Sequence, residues 1–271
     1  MDKKKRLLTG ALFYVVIALV ILYFLFPIFY MFITSIKSPL DAYAIPPKLF
    51  NFVPTTNNWM DLFTQKPIFY YMYNSIVVAL GTTLISMIFG SLAAYSLARY
   101  RIRHANKISI FILLIRMLPS FAAVIPIFLF MKHADLLDTR FGLIIAHTTF
   151  NLPFVVWMMR EFILSLPLEI EEAGMIDGLT RFEAFYKLLL PLLKSSLMAV
   201  SIFCVIFSWS EFLLALLLTQ TEAKTMPVAI AELSWQQASV AGTAIIIPVL
   251  LLAVCVQKYL IRGLTFGAIK N

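Results

Sequence analysis

Residues 165–191 read SLPLEIEEAGMIDGLTRFEAFYKLLLP. Pro167 suits a first helical position, where its missing N–H costs nothing. Glu169, Glu171 and Glu172 crowd the first turns, where the helix dipole favours negative charge. Leu168, Met175 and Ile176 supply apolar contacts. Gly178 is placed to end the helix in the left-handed conformation. Thr180 and Glu183 have capping-box spacing for a second helix, which ends near Pro191. The stretch therefore predicts a short helix, a glycine turn and a second helix. A bland reading is an amphipathic connector lying on a membrane. Its acidic residues argue against that, because surface helices of this kind are rich in Lys and Arg.

The surroundings of this loop set the fold class. The chain has 271 residues, 61% hydrophobic and only 13% charged, with a mean hydropathy of +0.90. Soluble domains carry about 25% charged residues. Six apolar blocks stand out, at roughly 11–36, 72–98, 108–131, 141–163, 195–219 and 240–261. Each is long enough to cross a bilayer as a helix, and the alternating pattern of barrel strands is absent. The expectation is an all-α polytopic membrane protein with six transmembrane helices, forming one domain over 1–271. The opening Met1-Asp2-Lys3-Lys4-Lys5-Arg6 looks like the start of a signal peptide. The apolar run continues to about Ile33 without a cleavage site, so a retained helix is expected.

The net charge of +8 falls between the apolar blocks, not on a face or stripe, which speaks against nucleic acid. With the N-terminus in the cytoplasm, 15 Lys and Arg lie inside and 6 outside, and Arg116 lies in a span. That bias predicts both termini cytoplasmic and the 165–191 loop on the same side. The first outside loop, about 37–71, carries five prolines and several aromatics and is expected to fold as a cap. Cys204 and Cys255 sit in apolar stretches with no metal-ligand spacing. No phosphate-binding Gly-x-x-x-x-Gly-Lys occurs, nor any other catalytic constellation, so the chain is not expected to be an enzyme.

The loop also resembles the EAA motif of permease subunits of binding-protein-dependent ABC importers. That pattern is Glu-Ala-Ala, three residues, Gly, nine residues, then Ile-x-Leu-Pro. Glu172, Ala173 and Gly174 fill the triplet, Asp177 and Gly178 the turn, and Leu188, Leu190 and Pro191 the close. The departures are Gly174 for Ala, Leu179 where Ala is common, and Leu188 for Ile; glycine at 174 is expected to loosen the helix by about 1 kcal/mol. Ala93–Arg99, Met117-Leu118-Pro119, Leu152-Pro153-Phe154 and Trp209-Ser210-Glu211-Phe212 also fit. The tail, with Gly267, Ala268, Ile269 and Lys270, looks like that of maltose-type carbohydrate permeases in their six-span form.

The resemblance implies a type I permease that moves a sugar or sugar-like solute across the inner (cytoplasmic) membrane. Its implied partners are a second homologous permease, two copies of a cytoplasmic ATPase that bind the ATP and Mg, and an extracytoplasmic solute-binding protein. The EAA loop and the tail would contact the ATPases. The chain itself would need no cofactor. A self-sufficient secondary transporter or channel is the alternative. Ionisable groups within spans keep it open, because such groups are functional candidates by default. Arg116, His147 and Glu211 are these groups, and structural pairing is the competing role for each. Phe121, Asn151, Trp157, Trp209 and Ser210 offer the aromatic and hydrogen-bonding chemistry that a sugar path needs. Pro119, Pro126, Pro153 and Pro248 are expected to interrupt their helices.

Overall fold

Residues 3–265 are described by the computed structural model. The tail residues Gly267, Ala268, Ile269 and Lys270 lie outside the described residues, as does the side chain of Cys255. Among the described residues every regular element is helical. The chain divides into two compact units, Met1–Phe69 with Ile230–Pro248, and Tyr70–Ala229 with Val249–Asn271.

In the first unit, helix α1 (Lys3–Ser35) exposes apolar side chains all round between Leu12 and Phe26. Such a helix has lipid, not water, as its solvent. The expected cap after it contains α2 (Pro39–Ala42) and α3 (Asn57–Gln65). It is tied to the end of α1 by polar bonds. The Asn58 Nδ2 donates to the carbonyls of Ser35 (3.0 Å) and Lys37 (2.7 Å), and Trp59 Nε1 donates to Ser35 Oγ at 3.2 Å. Lys37 is buried, with its ammonium 5.1 Å from the Tyr30 ring and 5.3 Å from that of Phe52.

In the second unit, α4 (Ile68–Arg99) and α7 (Arg140–Leu164) are long and apolar enough to cross a membrane, as is Leu12–Ser35 of α1. Two further predicted blocks are not single rods. The third is α5 (Ala105–Met117) followed by α6 (Ser120–His133), bent by 89° at Leu118–Pro119. The residue before proline is pushed out of the helical region, and Leu118 is extended at φ −62°, ψ 130°. The fifth block is α11 (Lys194–Trp209), a break at residues 210–212, and α12 (Leu213–Leu218). The sixth corresponds to α14 (Trp235–Thr265), whose residues up to Pro248 belong to the first unit. Pro126, Pro153 and Pro248 lie inside continuous helices, so of the four prolines expected to interrupt only Pro119 does so.

Helix α7 is central in this unit and packs against α5, α11 and α12. One apolar cluster joins Ala94 and Tyr95 of α4 to Val155, Met159 and Ile163 of α7 and to Phe185, Leu189, Val200 and Cys204. A second joins Val78, Leu143 and Ala146 to Val124, Met131, Leu214 and Leu218. The first cluster underlies residues 165–191, and the second surrounds the end bearing Asp138.

Asp138 itself is a staple. Its carboxylate accepts from the backbone N–H groups of Gln220 (2.9 Å), Thr221 (3.0 Å), Glu222 (3.1 Å) and Ala223 (3.0 Å). Partial burial pushes its pKa up, but those four donors prevail and hold it at about 2. The sign follows from the depression. The folded value lies below the unfolded ~3.9, so the stabilisation is complete above about pH 4 and fades as pH falls towards 2. Asp138→Ala is therefore expected to raise hydrogen exchange at residues 220–223 at pH 7. In the unsubstituted chain that protection should hold at pH 5 and fall on acidification below 4. Equal exchange in the two proteins at pH 7 would remove the staple.

Candidate functional site

The 165–191 loop folds as predicted at its turns. Helix α8 (Glu169–Ile176) begins two residues after Pro167, with Leu168 at its N-cap. Asp177 caps its end, and Gly178 follows with φ +93°. Leu179 N–H donates to the Gly174 carbonyl (3.0 Å) and Gly178 N–H to that of Met175 (3.1 Å). Those two bonds are the Schellman pattern, which requires the left-handed residue between them. Helix α9 (Arg181–Ala184) opens with a capping box made by Thr180 and Glu183. Its continuation, through a π-helical turn (Phe185–Leu189) and α10 (Leu190–Leu192), meets α11 at 82°.

The buried side of α8 is bolted to α4. Glu171, 2% exposed, forms an ion pair with Arg99 and lies 2.9 Å from the Tyr95 hydroxyl. The same hydroxyl is 3.1 Å from the carbonyl of Arg181, and Arg99 Nη2 donates to the Leu166 carbonyl at 2.9 Å. Tyr95 and Arg99 are four residues apart, one helical turn, so they present a single polar face at the end of α4. The outer side of α8 is bare. Glu172, Ala173 and Asp177 are exposed, and Ile176 is 86% exposed.

Gly174 is buried, and the expected loosening of α8 is offset by contact. A Cβ there would lie 2.5 Å from Leu188 Cδ1 and 3.3 Å from Leu179 Cδ1. The three departures from the EAA pattern thus meet in one spot: a smaller residue at 174 makes room for leucines at 179 and 188.

The second constellation is a cavity of about 190 Å³ where the two broken spans face α7. Arg116, Leu118 and Ser120 come from the α5–α6 break, His147, Phe150 and Asn151 from α7, and Phe207, Glu211 and Leu214 from the α11–α12 break. Non-helical backbone at membrane depth is tolerated where it lines a cavity or is buried in protein. Of the sequence-derived path candidates, Arg116, Asn151 and Glu211 meet here. Phe121 and Ser210 are exposed elsewhere, and Trp209 and Trp157 are partly buried outside its wall.

Glu211 accepts from the N–H groups of Leu214 (2.9 Å) and Ala215 (3.1 Å), so it caps α12. His147 is buried, with Nδ1 2.7 Å from Ser208 Oγ. Its Nε2 is 3.3 Å from Glu211 Oε2, close enough for attraction but without hydrogen-bond alignment. Arg116 donates to the Phe150 carbonyl at 2.7 Å, and its guanidinium carbon lies 4.3 Å from the Phe207 ring centre and 4.9 Å from that of Phe154. The sequence singles out His147 as an ionisable group within a span but not as a path residue, and it gives no sign of Phe150 or Phe207 in the wall. The i, i+4 spacing of His147 and Asn151 was the available signal, since it sets both on one face of α7.

Residues 86–266 match the model of the "Binding-protein-dependent transport system inner membrane component" family. The chain belongs to this family. The sulfoquinovosyl glycerol transport system permease SmoH of Agrobacterium fabrum is 33% identical over 91% of this chain and 89% of its own length. The trehalose transport system permease SugB of Mycobacterium tuberculosis is 34% identical over 93% and 95%. Among solved structures, a bacterial ABC transporter involved in import of the acidic polysaccharide alginate superposes with a TM-score of 0.78 and 25% identity, over 96% of this chain and 98% of that one. As an inner membrane component of a binding-protein-dependent system, the chain is a multi-pass transport subunit and not an enzyme. Its family works with an ATPase and a solute-binding protein.

Proposed function

We propose that the chain is the six-span subunit of an importer for a sugar or sugar-like solute, and that it forms one permease domain over residues 1–271. A second homologous permease completes the pathway, and two ATPase copies dock on the cytoplasmic side. Both termini and the 165–191 loop face those ATPases, in keeping with the Lys and Arg distribution. The cargo class rests on relatives that carry trehalose and sulfoquinovosyl glycerol. The tail at Gly267–Lys270 takes part in the ATPase contact.

The observation that carries this reading is the two-sidedness of α8. Its inner side is locked to α4 through Glu171, while Glu172, Ala173, Ile176 and Asp177 are presented outward. An exposed isoleucine beside carboxylates suits a protein groove with basic rims. Gly178, Leu190 and Pro191 set the angle of that lever. Arg116, Asn151 and Glu211 stand on the solute path within the cavity.

Ile176→Asp tests the lever, because so exposed a side chain contributes little to folding. In the assembled importer the substitution is expected to cut ATPase copurification at least tenfold while the permease pair remains intact. Undiminished recruitment and uptake would make α8 a mere connector.

A further inference from the structure

We infer that the cavity at the two helix breaks binds an anionic group carried on a hydroxylated solute, with Arg116 as the residue that pairs with the anion. The inference rests on the importer reading and adds the class of cargo this subunit handles.

The charge inventory of the cavity is short: Arg116, His147 and Glu211. Glu211 is already committed to the N-terminal amides of α12 and stands beside His147. Arg116 has no ion pair with any carboxylate among the described residues. An unpaired cation at membrane depth is expensive to keep. Here the Phe154 and Phe207 rings cover it, and one of its N–H groups is used by the Phe150 carbonyl. Guanidinium carries five N–H donors in one plane; the two ring centres are 5.3 Å apart, so both rings lie to one side of it, and the Phe150 carbonyl uses only part of its donor edge. That edge matches the two oxygens of a carboxylate, sulfonate or phosphate, which it can grip bidentately.

The rest of the wall suits hydroxyl groups. Asn151 is 4% exposed and spends its Nδ2 on the His147 carbonyl at 3.2 Å, while its Oδ1 has no partner. His147 Nε2 is likewise without an aligned bond. A buried acceptor and a buried ring nitrogen left open in the same cavity are costly unless something fills them, and a polyhydroxylated ring fills both. At about 190 Å³ the space is below the range of drug-sized pockets, roughly 300–1,000 Å³. It takes one ring or charged headgroup at a time, not a chain.

The test uses the complete importer in lipid nanodiscs without nucleotide or binding protein. Equilibrium binding is measured for three probes: methyl α-D-glucuronide, glucose 6-phosphate and neutral methyl α-D-glucoside. At least one anionic probe is expected to bind about tenfold more tightly than the glucoside, and comparing the two separates carboxylate from phosphate preference. Arg116→Gln should abolish the difference, and Arg116→Lys should keep most of it. Where Arg116→Gln does not assemble, Asn151→Asp serves instead. A carboxylate placed in the wall that Arg116 shares should cancel the anion preference. Equal binding of charged and neutral probes, no binding of any probe, or a preference untouched by these variants overturns the inference. ATPase stimulation by the importer's own loaded binding protein is measured on the same preparation. Loss of that stimulation in the unsubstituted complex overturns the importer reading, whereas stimulation without anion preference overturns only this site.

Discussion

Glu171→Ala is expected to release α8 from α4 and to lower solute uptake by more than tenfold. The carboxylate is 2% exposed and sits between the Arg99 guanidinium and the Tyr95 hydroxyl. Removing it strands a cation that is itself almost fully buried. Breaking a buried pair by deleting one partner typically costs about 3–5 kcal/mol, against about 0.5–3 kcal/mol for an ordinary substitution. Glu171→Gln keeps an acceptor for Tyr95 but not the charge, so it should fall between alanine and the unsubstituted chain. The double variant Arg99→Ala with Glu171→Ala should be less damaging than the sum of the two singles, because neither charge is then left alone. Thermal unfolding of the purified complex supplies the stability values, and vesicle uptake supplies the coupling. Additive losses in that cycle would show that the pair does not act as a unit.

The Arg99–Glu171 pair also marks where sequence reading stops. The turn at Gly178 and the box at Thr180 and Glu183 were legible because each depends on residues within a few positions. The apolar blocks were legible because lipid imposes their length. Residues 99 and 171 are far apart in the chain, and nothing in either local pattern names the other as its partner. Glu171 even looked like one more dipole-favoured carboxylate of an exposed first turn. Helix breaks were half legible. Pro119 interrupts, yet Pro126 and Pro153 do not, because the neighbours of a proline decide whether its freed backbone groups are satisfied. The break at 210–212 contains no proline and gave no signal beyond Glu211, whose carboxylate turns out to cap the helix that restarts after it. The cavity draws on both breaks and on α7 together, so only its polar members Arg116, His147, Asn151 and Glu211 stood out in advance, each for its own polarity and not for the company it keeps.

Gly174, Leu179 and Leu188 carry the same lesson in the other direction. Read singly, each is a departure from the EAA pattern, and glycine in a helix is a cost. In space they are one packing decision. Volume-conserving exchange among contacting residues is tolerated far better than its separate parts. The loop keeps its spacing while its interior is repacked.

Gly178→Val is expected to abolish uptake while leaving most of the fold intact. At φ +93° the residue lies where an L side chain is strained, at about 1–2 kcal/mol for an ordinary residue, and a β-branched one is worse. A Cβ built at this position meets nothing within 4 Å, so the penalty is conformational and not a clash. The backbone can relieve it by leaving the left-handed region. Doing so breaks the bonds from Leu179 N–H to Gly174 and from Gly178 N–H to Met175, and it re-aims α8 relative to α9. The outer residues Glu172, Ile176 and Asp177 would then point away from the groove proposed to receive them. Gly178→Asn separates strain from disruption, since asparagine tolerates the left-handed region better than valine and should retain a substantial part of the uptake. Three measurements decide the matter: thermal unfolding of the complex, ATPase copurification, and uptake with the loaded binding protein. The expected pattern is a small loss of stability, a large loss of recruitment and near-zero uptake for valine, with asparagine intermediate. Normal recruitment and uptake in Gly178→Val would mean that the angle of α8 does not matter to transport, and the lever would have to be sought elsewhere in the chain.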